Sequence, residues 1–158
     1  MLCGLGRVRG KSGLARSDYL NEAWFLRLDG TAPRWRRPRA QGRPPGGRAG
    51  HAACAVGPHV VLFGGVNAKQ FLGDLFVFHA GRAAWSSPLI AAPAPGPRMR
   101  PALIYARAGP ADTNAPALYV FGGTRAWGAA AAVATATQRH DGDLFALALA
   151  PAPVAEMF

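Results

Sequence analysis

Pro44-Pro45-Gly46-Gly47-Arg48-Ala49-Gly50-His51 opens a stretch that continues AACAVGPHVVLFGG to Gly65. After a short loop come Gly73-Asp74-Leu75-Phe76-Val77-Phe78 and then Trp85. A second segment follows the same order. Pro95-Gly96-Pro97-Arg98-Met99-Arg100-Pro101 runs into ALIYARAG, then Ala117-Leu118-Tyr119-Val120-Phe121-Gly122-Gly123, and later Gly142-Asp143-Leu144-Phe145-Ala146-Leu147. Arg48 and Arg98 stand 50 apart, Gly64 and Gly122 58, Asp74 and Asp143 69, so the second copy carries two insertions, both in loop-like sequence. Upstream, Asn21-Glu22-Ala23-Trp24-Phe25-Leu26-Arg27-Leu28-Asp29 followed by Trp35 matches the second half of the unit, with Trp35 and Trp85 again 50 apart. Self-similarity at such a period points to a repeat architecture.

The local chemistry predicts strands independently. His59-Val60-Val61-Leu62-Phe63 and Leu118-Tyr119-Val120-Phe121 are short β-branched and aromatic runs, each followed by Gly-Gly. Short runs apolar on both faces suit a sheet packed between two others. The glycine pair is read as the end of the strand, permitting positive φ or the close approach of a neighbour. Phe76 and Phe78 fall on one strand face, Leu75 and Val77 on the other.

The order P-x-R-x-G-H, apolar strand, L-x-F-G-G, variable loop, N/D-L-x-x-F and Trp resembles the kelch motif, over roughly residues 19–149. The second copy departs from it, with Arg100-Pro101 in place of Gly50-His51 and no closing Trp. The resemblance implies an all-β fold of four-stranded kelch-type β-propeller blades. Arg48, His51, Gly64, Gly65, Asp74, Trp85, Arg98, Gly122, Gly123, Asp143 and Trp35 become structural motif residues. Trp35 and Trp85 are expected to wedge between blades, and Arg48 and Arg98 to hydrogen-bond between strands or blades. The chain divides into a basic, disordered start (1–17), a partial repeat and linker (18–43), two repeats (44–92 and 93–150) and a tail (151–158). Two to two and a half blades fall short of the 4–8 that close a propeller. The remaining blades are expected from a longer chain or from self-association.

Composition limits the other classes. Gly and Pro number 20 and 14 of 158 residues, favouring turns and short strands. Uncharged stretches such as 85–97 and 126–138 are about 13 residues and carry Pro or polar residues, and no stretch offers the ~18–20 apolar residues a membrane-spanning helix needs. Residues 1–17 hold Arg7, Arg9, Lys11 and Arg16 and no acid, but lack the apolar core of a secretory signal; an organellar transit peptide is the alternative to a disordered start. Cys3 and Cys54 form no disulfide framework, consistent with a reducing intracellular, cytoplasmic setting. The net charge of +10 is almost all Arg in an Ala-, Gly- and Pro-rich chain, which GC-rich coding produces without a ligand. The densest run, RWRRPRAQGR at 34–43, is read as a solvated connection rather than a nucleic-acid patch.

Catalytic signatures are missing from the sequence. Gly4-Leu5-Gly6-Arg7-Val8-Arg9-Gly10-Lys11-Ser12 has Leu5 where a phosphate loop needs glycine. His51, His59, His79 and His140 show no metal-ligand spacing. No serine stands in a nucleophile elbow. No cofactor is expected. The leading function is a non-catalytic protein–protein interaction scaffold or adaptor, binding another protein through inter-strand loops at 66–73 and 124–142. Candidate contacts are Asn67, Lys69, Gln70, Arg125, Trp127, Arg139 and His140, with the alanine run 129–132 either a short helix or filler. The rivals are the propeller domain of a galactose-oxidase-like oxidoreductase, whose ligands would lie in other blades, and a basic nucleic-acid-binding surface.

Overall fold

A computed structural model of the chain describes residues 5–9, 15–28, 30–90, 92–106, 116–127, 137–140 and 142–148. The Ala-rich stretch 129–132 and the tail 151–158 lie outside them. Every regular element among the described residues is a strand, and every strand pairing in a sheet is antiparallel.

The central sheet holds β5 (Ala52–Val56), β6 (His59–Val66), β7 (Phe71–His79) and β8 (Ala84–Ser86), in that order. It is one complete four-stranded blade. Its two faces carry separate cores, as the alternation along β7 requires. Val61, Phe63, Leu75 and Val77 pack towards Leu103, Leu118 and Val120 of the following sheet. Leu62, Phe76, Phe78 and Trp85 pack towards Phe25 of the preceding one and Ala23 just before it. Trp85 meets Phe78 with ring centroids 4.8 Å apart and Phe76 edge-on at 6.3 Å.

The following sheet runs β13 (Leu144–Ala148), β10 (Ala117–Phe121) and β9 (Ala102–Ala106). The preceding one is the pair β3 (Phe25–Arg27) and β4 (Arg34–Arg36), in which Leu26 faces Trp35 as Phe78 faces Trp85.

Backbone hydrogen bonds repeat along with the sequence. Ala49 and Val66 exchange a pair at 2.9 Å; Met99 and Thr124, one unit on, exchange the same pair at 2.8 Å. Between units, Arg48 N–H donates to Leu20 O, and Arg98 N–H to Leu72 O. Each repeat is thus stapled to the one before it at the same point. Gly65 N–H adds a bond to Arg98 O at 2.8 Å.

Several expectations are corrected. The second glycine pair, Gly122-Gly123, follows the end of β10 at Phe121, but the first does not end its strand. β6 continues through Gly64 (φ 69°) and Gly65 (φ 103°) to Val66, with a register shift between Phe63 and Gly65. A bulge absorbs the positive φ values without ending the ladder. Residues 1–17 are not wholly irregular, since β1 (Leu5–Arg9) pairs with β2 (Ala15–Tyr19). The arginine run at 34–43 begins as strand β4, and its Gln41 joins the edge of the central blade, donating to Ala83 O and accepting from Trp85 N–H. Trp35, expected to wedge between blades, meets no second blade among the described residues. It is largely exposed, because no sheet among the described residues covers that face of β3–β4.

Candidate functional site

Arg48 shows how a repeat position is held. Its side chain is buried beside the partly exposed Asp74, and its guanidinium forms two parallel bonds to that carboxylate, Nη1 to Oδ1 at 2.5 Å and Nη2 to Oδ2 at 3.0 Å. Nη1 also donates to Gly64 O and Nε to Gly46 O, and the cation lies 5.1 Å from the Phe76 ring centroid. The planar fork of arginine suits such two-point recognition of a carboxylate. Arg98 repeats the arrangement, equally buried, with Nη1 on Gly122 O at 2.9 Å, Nε on Gly96 O at 3.0 Å and the Phe145 ring at 4.9 Å. Asp143, at the position of Asp74, is exposed and accepts from Gly122 N–H through its backbone carbonyl.

His51 is half-buried, and its Nδ1 has no hydrogen-bond partner among the described residues. Burial, and then the Arg48 charge, hold its pKa below the ordinary imidazole value. His59 is buried edge-on to His79 at 4.6 Å, with Nδ1 3.3 Å from Val56 O. Burial is also the main cause of its lowered pKa, ahead of the nearby His79 and Arg82. Burial pushes the Cys54 thiol up, away from the reactive thiolate. Among the described residues no group of three or more His, Cys, Asp and Glu could hold a metal ion.

The variable segments leave the sheets directly beyond the glycine pairs. The first is a tight turn between β6 and β7. Asn67 Oδ1 accepts from Lys69 N–H at 2.8 Å and Gln70 N–H at 2.9 Å, and Asn67 N–H donates to Gln70 O. This side-chain-closed turn leaves Lys69 and Gln70 exposed. At the same point of the next unit, the stretch 124–142 is more than a loop. It holds β11 (Thr124–Trp127) paired with β12 (Thr137–His140). Arg125 stands opposite Arg139 and Thr124 opposite His140. Arg125 is half-buried; the side chains of Trp127, Arg139 and His140 lie outside the described residues.

One feature escaped the sequence reading. A cleft of about 670 Å³ between β3–β4 and the β7–β8 turn is lined by Phe25, Arg27, Arg36, Arg37, Arg39 and Gly81, among others. Arg37 there pairs with Glu22 at 3.2 Å. The arginines came from a run read as a connection, and only the β3–β4 pairing gathers them with Arg27.

A family model described as the KLHDC2/KLHL20/DRC7 Kelch-repeats domain matches residues 10–150. The chain belongs to the kelch-repeat family. Among curated proteins, the kelch chain is 41% identical to Adagio protein 3 of Arabidopsis thaliana over 59 residues, 37% of this chain and 9% of that protein. It is 31% identical to Host cell factor 2 of Homo sapiens over 125 residues, 66% of this chain and 15% of that protein. It is 35% identical to the putative adagio-like protein 2 of Oryza sativa subsp. japonica over 80 residues, 48% and 12% of the two chains. The chain thus spans well under a fifth of the length of these relatives. A kelch-repeat domain is in general a protein-interaction module. No helix among the described residues is long and apolar enough to cross a membrane.

Proposed function

We propose that this kelch chain is a non-catalytic scaffold that binds an acidic segment of another protein through the β6–β7 turn and the β11–β12 hairpin. One observation carries the reading. Two units that repeat down to individual backbone bonds differ most in what they project beyond the glycine pair, four turn residues in one and a paired hairpin in the other. A rigid repeat with variable projections is the arrangement in which loops take up recognition.

The sign of the partner follows from charge. Arg125 and Arg139 stand opposite each other across β11–β12, which puts two cations on one hairpin. Lys69 adds an exposed cation to the neighbouring turn. The motif residues Arg48, Gly64, Gly65, Asp74, Trp85, Arg98, Gly122, Gly123 and Asp143 then serve to position these projections. His51 fills space beside Arg48.

The test is site-specific photo-crosslinking in cells, with the crosslinker at Lys69, at Arg125, or at Arg82 in the β7–β8 turn. The same acidic partner should crosslink from Lys69 and Arg125 and not from Arg82, and Lys69→Glu with Arg125→Glu should abolish it. Crosslinking that is equal from all three sites, or that survives the charge reversal, would defeat the reading.

A further inference from the structure

Arginines gather on one face of the first strand pair. The β3–β4 register sets Phe25 opposite Arg36 and Arg27 opposite Arg34, so these four share one face while Leu26 and Trp35 share the other. The central blade has the same ladder in β7–β8, with Val77 opposite Ser86 and His79 opposite Ala84. The repeat therefore does not call for arginine at these positions: Arg36 stands where the blade has Ser86, and Arg34 where it has Ala84. An arginine-rich composition accounts for their number and not for their convergence.

The face they share is turned towards the central blade, since the Phe25 ring lies 5.7 Å from that of Phe78. Between β3–β4 and the β7–β8 turn opens the cleft of about 670 Å³, to which Arg27, Arg36, Arg37 and Arg39 contribute from one side of the sequence and Ala80 and Gly81 from the turn. Both walls come from sheets already in place, and a sheet preceding β3–β4 would lie on its opposite face, with Leu26 and Trp35. Arg37 is held at the cleft by Glu22, at 3.2 Å, and by the Trp24 ring, whose centroid is 6.0 Å from the guanidinium. Arg36 and Arg39 are exposed. A smaller hollow of about 310 Å³ shares Arg27 and adds Arg34.

We infer that this cleft binds a small phosphate-rich anion, either an oligophosphate or a multiply phosphorylated ester. Guanidinium forks present parallel N–H donors that match phosphate oxygens. A phosphate monoester carries about −1.5 to −2 charges at pH 7 and three acceptor oxygens, so several forks can converge on one group. An acidic peptide supplies one charge per residue, spread along about 3.5 Å of extended chain, and matches so compact a cluster less well. The volume falls within the roughly 300–1,000 Å³ of small-molecule sites, and Phe25 and Pro38 add apolar surface for the body of an ester. The cleft sits at the other end of β7 from the β6–β7 turn, so it is separate from the surface proposed for the acidic partner.

The test is calorimetric titration of the full chain at about 0.1 M salt, with inorganic triphosphate and with ATP. Each should bind once per chain and compete with the other. Arg36→Ala with Arg39→Ala should weaken both at least about tenfold. Arg43→Ala with Arg100→Ala removes the same charge from exposed positions outside the cleft and should leave binding within about twofold. All four arginines are exposed, so both variants should keep the fold, checked by circular dichroism. Tighter binding of ATP would assign the site to an ester, and equal binding to the phosphates alone; either supports the inference. Absence of saturable binding would overturn it, as would equal losses in the two variants, which would mean attraction to net charge. Hexaglutamate binding as tightly as triphosphate would overturn the choice of phosphate. A single-stranded RNA that binds more tightly than both anions, and weakens equally in the two variants, would make the arginines a nucleic-acid surface instead.

Discussion

The central blade and the sheet that follows it are built on one sequence unit and one set of hydrogen bonds, yet they finish differently. Both place a buried arginine on the carbonyl of the first glycine in the pair, Arg48 on Gly64 and Arg98 on Gly122. Both put the two glycines at positive φ, 69° and 103° in one, 63° and 93° in the other. The central blade then gains β8, whose Trp85 seals one face, and a carboxylate chelate at Arg48. The last sheet has no Trp after Leu149, and its Asp143 is exposed. Shared features fix the bend and the spacing of the units. Unshared ones decide how far each unit is closed by its own residues.

The largest expected effect strikes the feature that separates them. Asp74→Ala leaves the buried Arg48 guanidinium without its partly exposed carboxylate, which should cost about 3 kcal/mol, the upper end for hydrogen bonds to a charged group. Asp143→Ala, at the equivalent but exposed position, should cost less than about 1 kcal/mol. Urea unfolding of the two variants measures the contrast. Equal losses would mean that the two units are held alike.

Next comes a feature the units share. A Cβ on Gly65 would lie 2.8 Å from Ala49 O, and one on Gly123 would lie 2.9 Å from Met99 O, both at positive φ. Gly65→Ala and Gly123→Ala should each cost about 2 kcal/mol. Near-equal losses in thermal melts would confirm one strand geometry in both units; a loss confined to Gly65 would break the comparison.

What the sequence could show divides along the same line. The order of arginine, glycine pair, Asp-Leu and tryptophan was readable because those residues serve one unit at a time. Features set by a neighbour were not. Trp35 and Trp85 look alike in sequence, and only the sheet lying over Trp85 makes it a core residue. Arg48 and Asp74 are 26 residues apart, and nothing local to either announces two parallel hydrogen bonds. Gly64 and Gly65 read as a stop because positive φ ordinarily breaks a strand; the ladder resumes because Val66 still finds Phe71 and Ala49. Thr124–Trp127 and Thr137–His140 were hidden in a long insertion, where four-residue strands are too short to show alternation. At the candidate site, the exposed turn residues were legible from their variability between copies. The opposition of Arg125 to Arg139 required the register.

Two histidines add a pH dependence within the first unit. Burial holds the pKa values of His51 and His59 below the ordinary imidazole value of 6.5, and the second unit has Pro101 where the first has His51. A depressed pKa means that the unfolded chain binds protons before the folded one does. Stability is therefore full above about pH 6.5 and falls as pH drops from there towards the lowered folded values. Melting temperature should decline over that window. His59→Gln should flatten the decline, and an undiminished slope in that variant would assign it to other groups.

The smallest effect lies where the second unit departs from the motif. Gly50 has φ 60°, and Arg100 holds the same left-handed conformation at φ 54° with its N–H on Gly50 O at 2.6 Å. A side chain in that region costs roughly 1–2 kcal/mol, offset by the 0.4–1 kcal/mol or so of extra unfolded-state entropy a glycine brings. Arg100→Gly should therefore stabilise the chain by about 0.5 kcal/mol. Gly50→Arg, the reciprocal change, should destabilise it by a similar amount, because an added Cβ meets the Arg100 side chain at 3.4 Å, an ordinary contact. Opposite signs from the pair would show that the unit demands the left-handed turn itself, and that the second copy keeps it with a residue that does not favour it. Two changes of the same sign would place the strain in the Arg100 side chain rather than in the backbone.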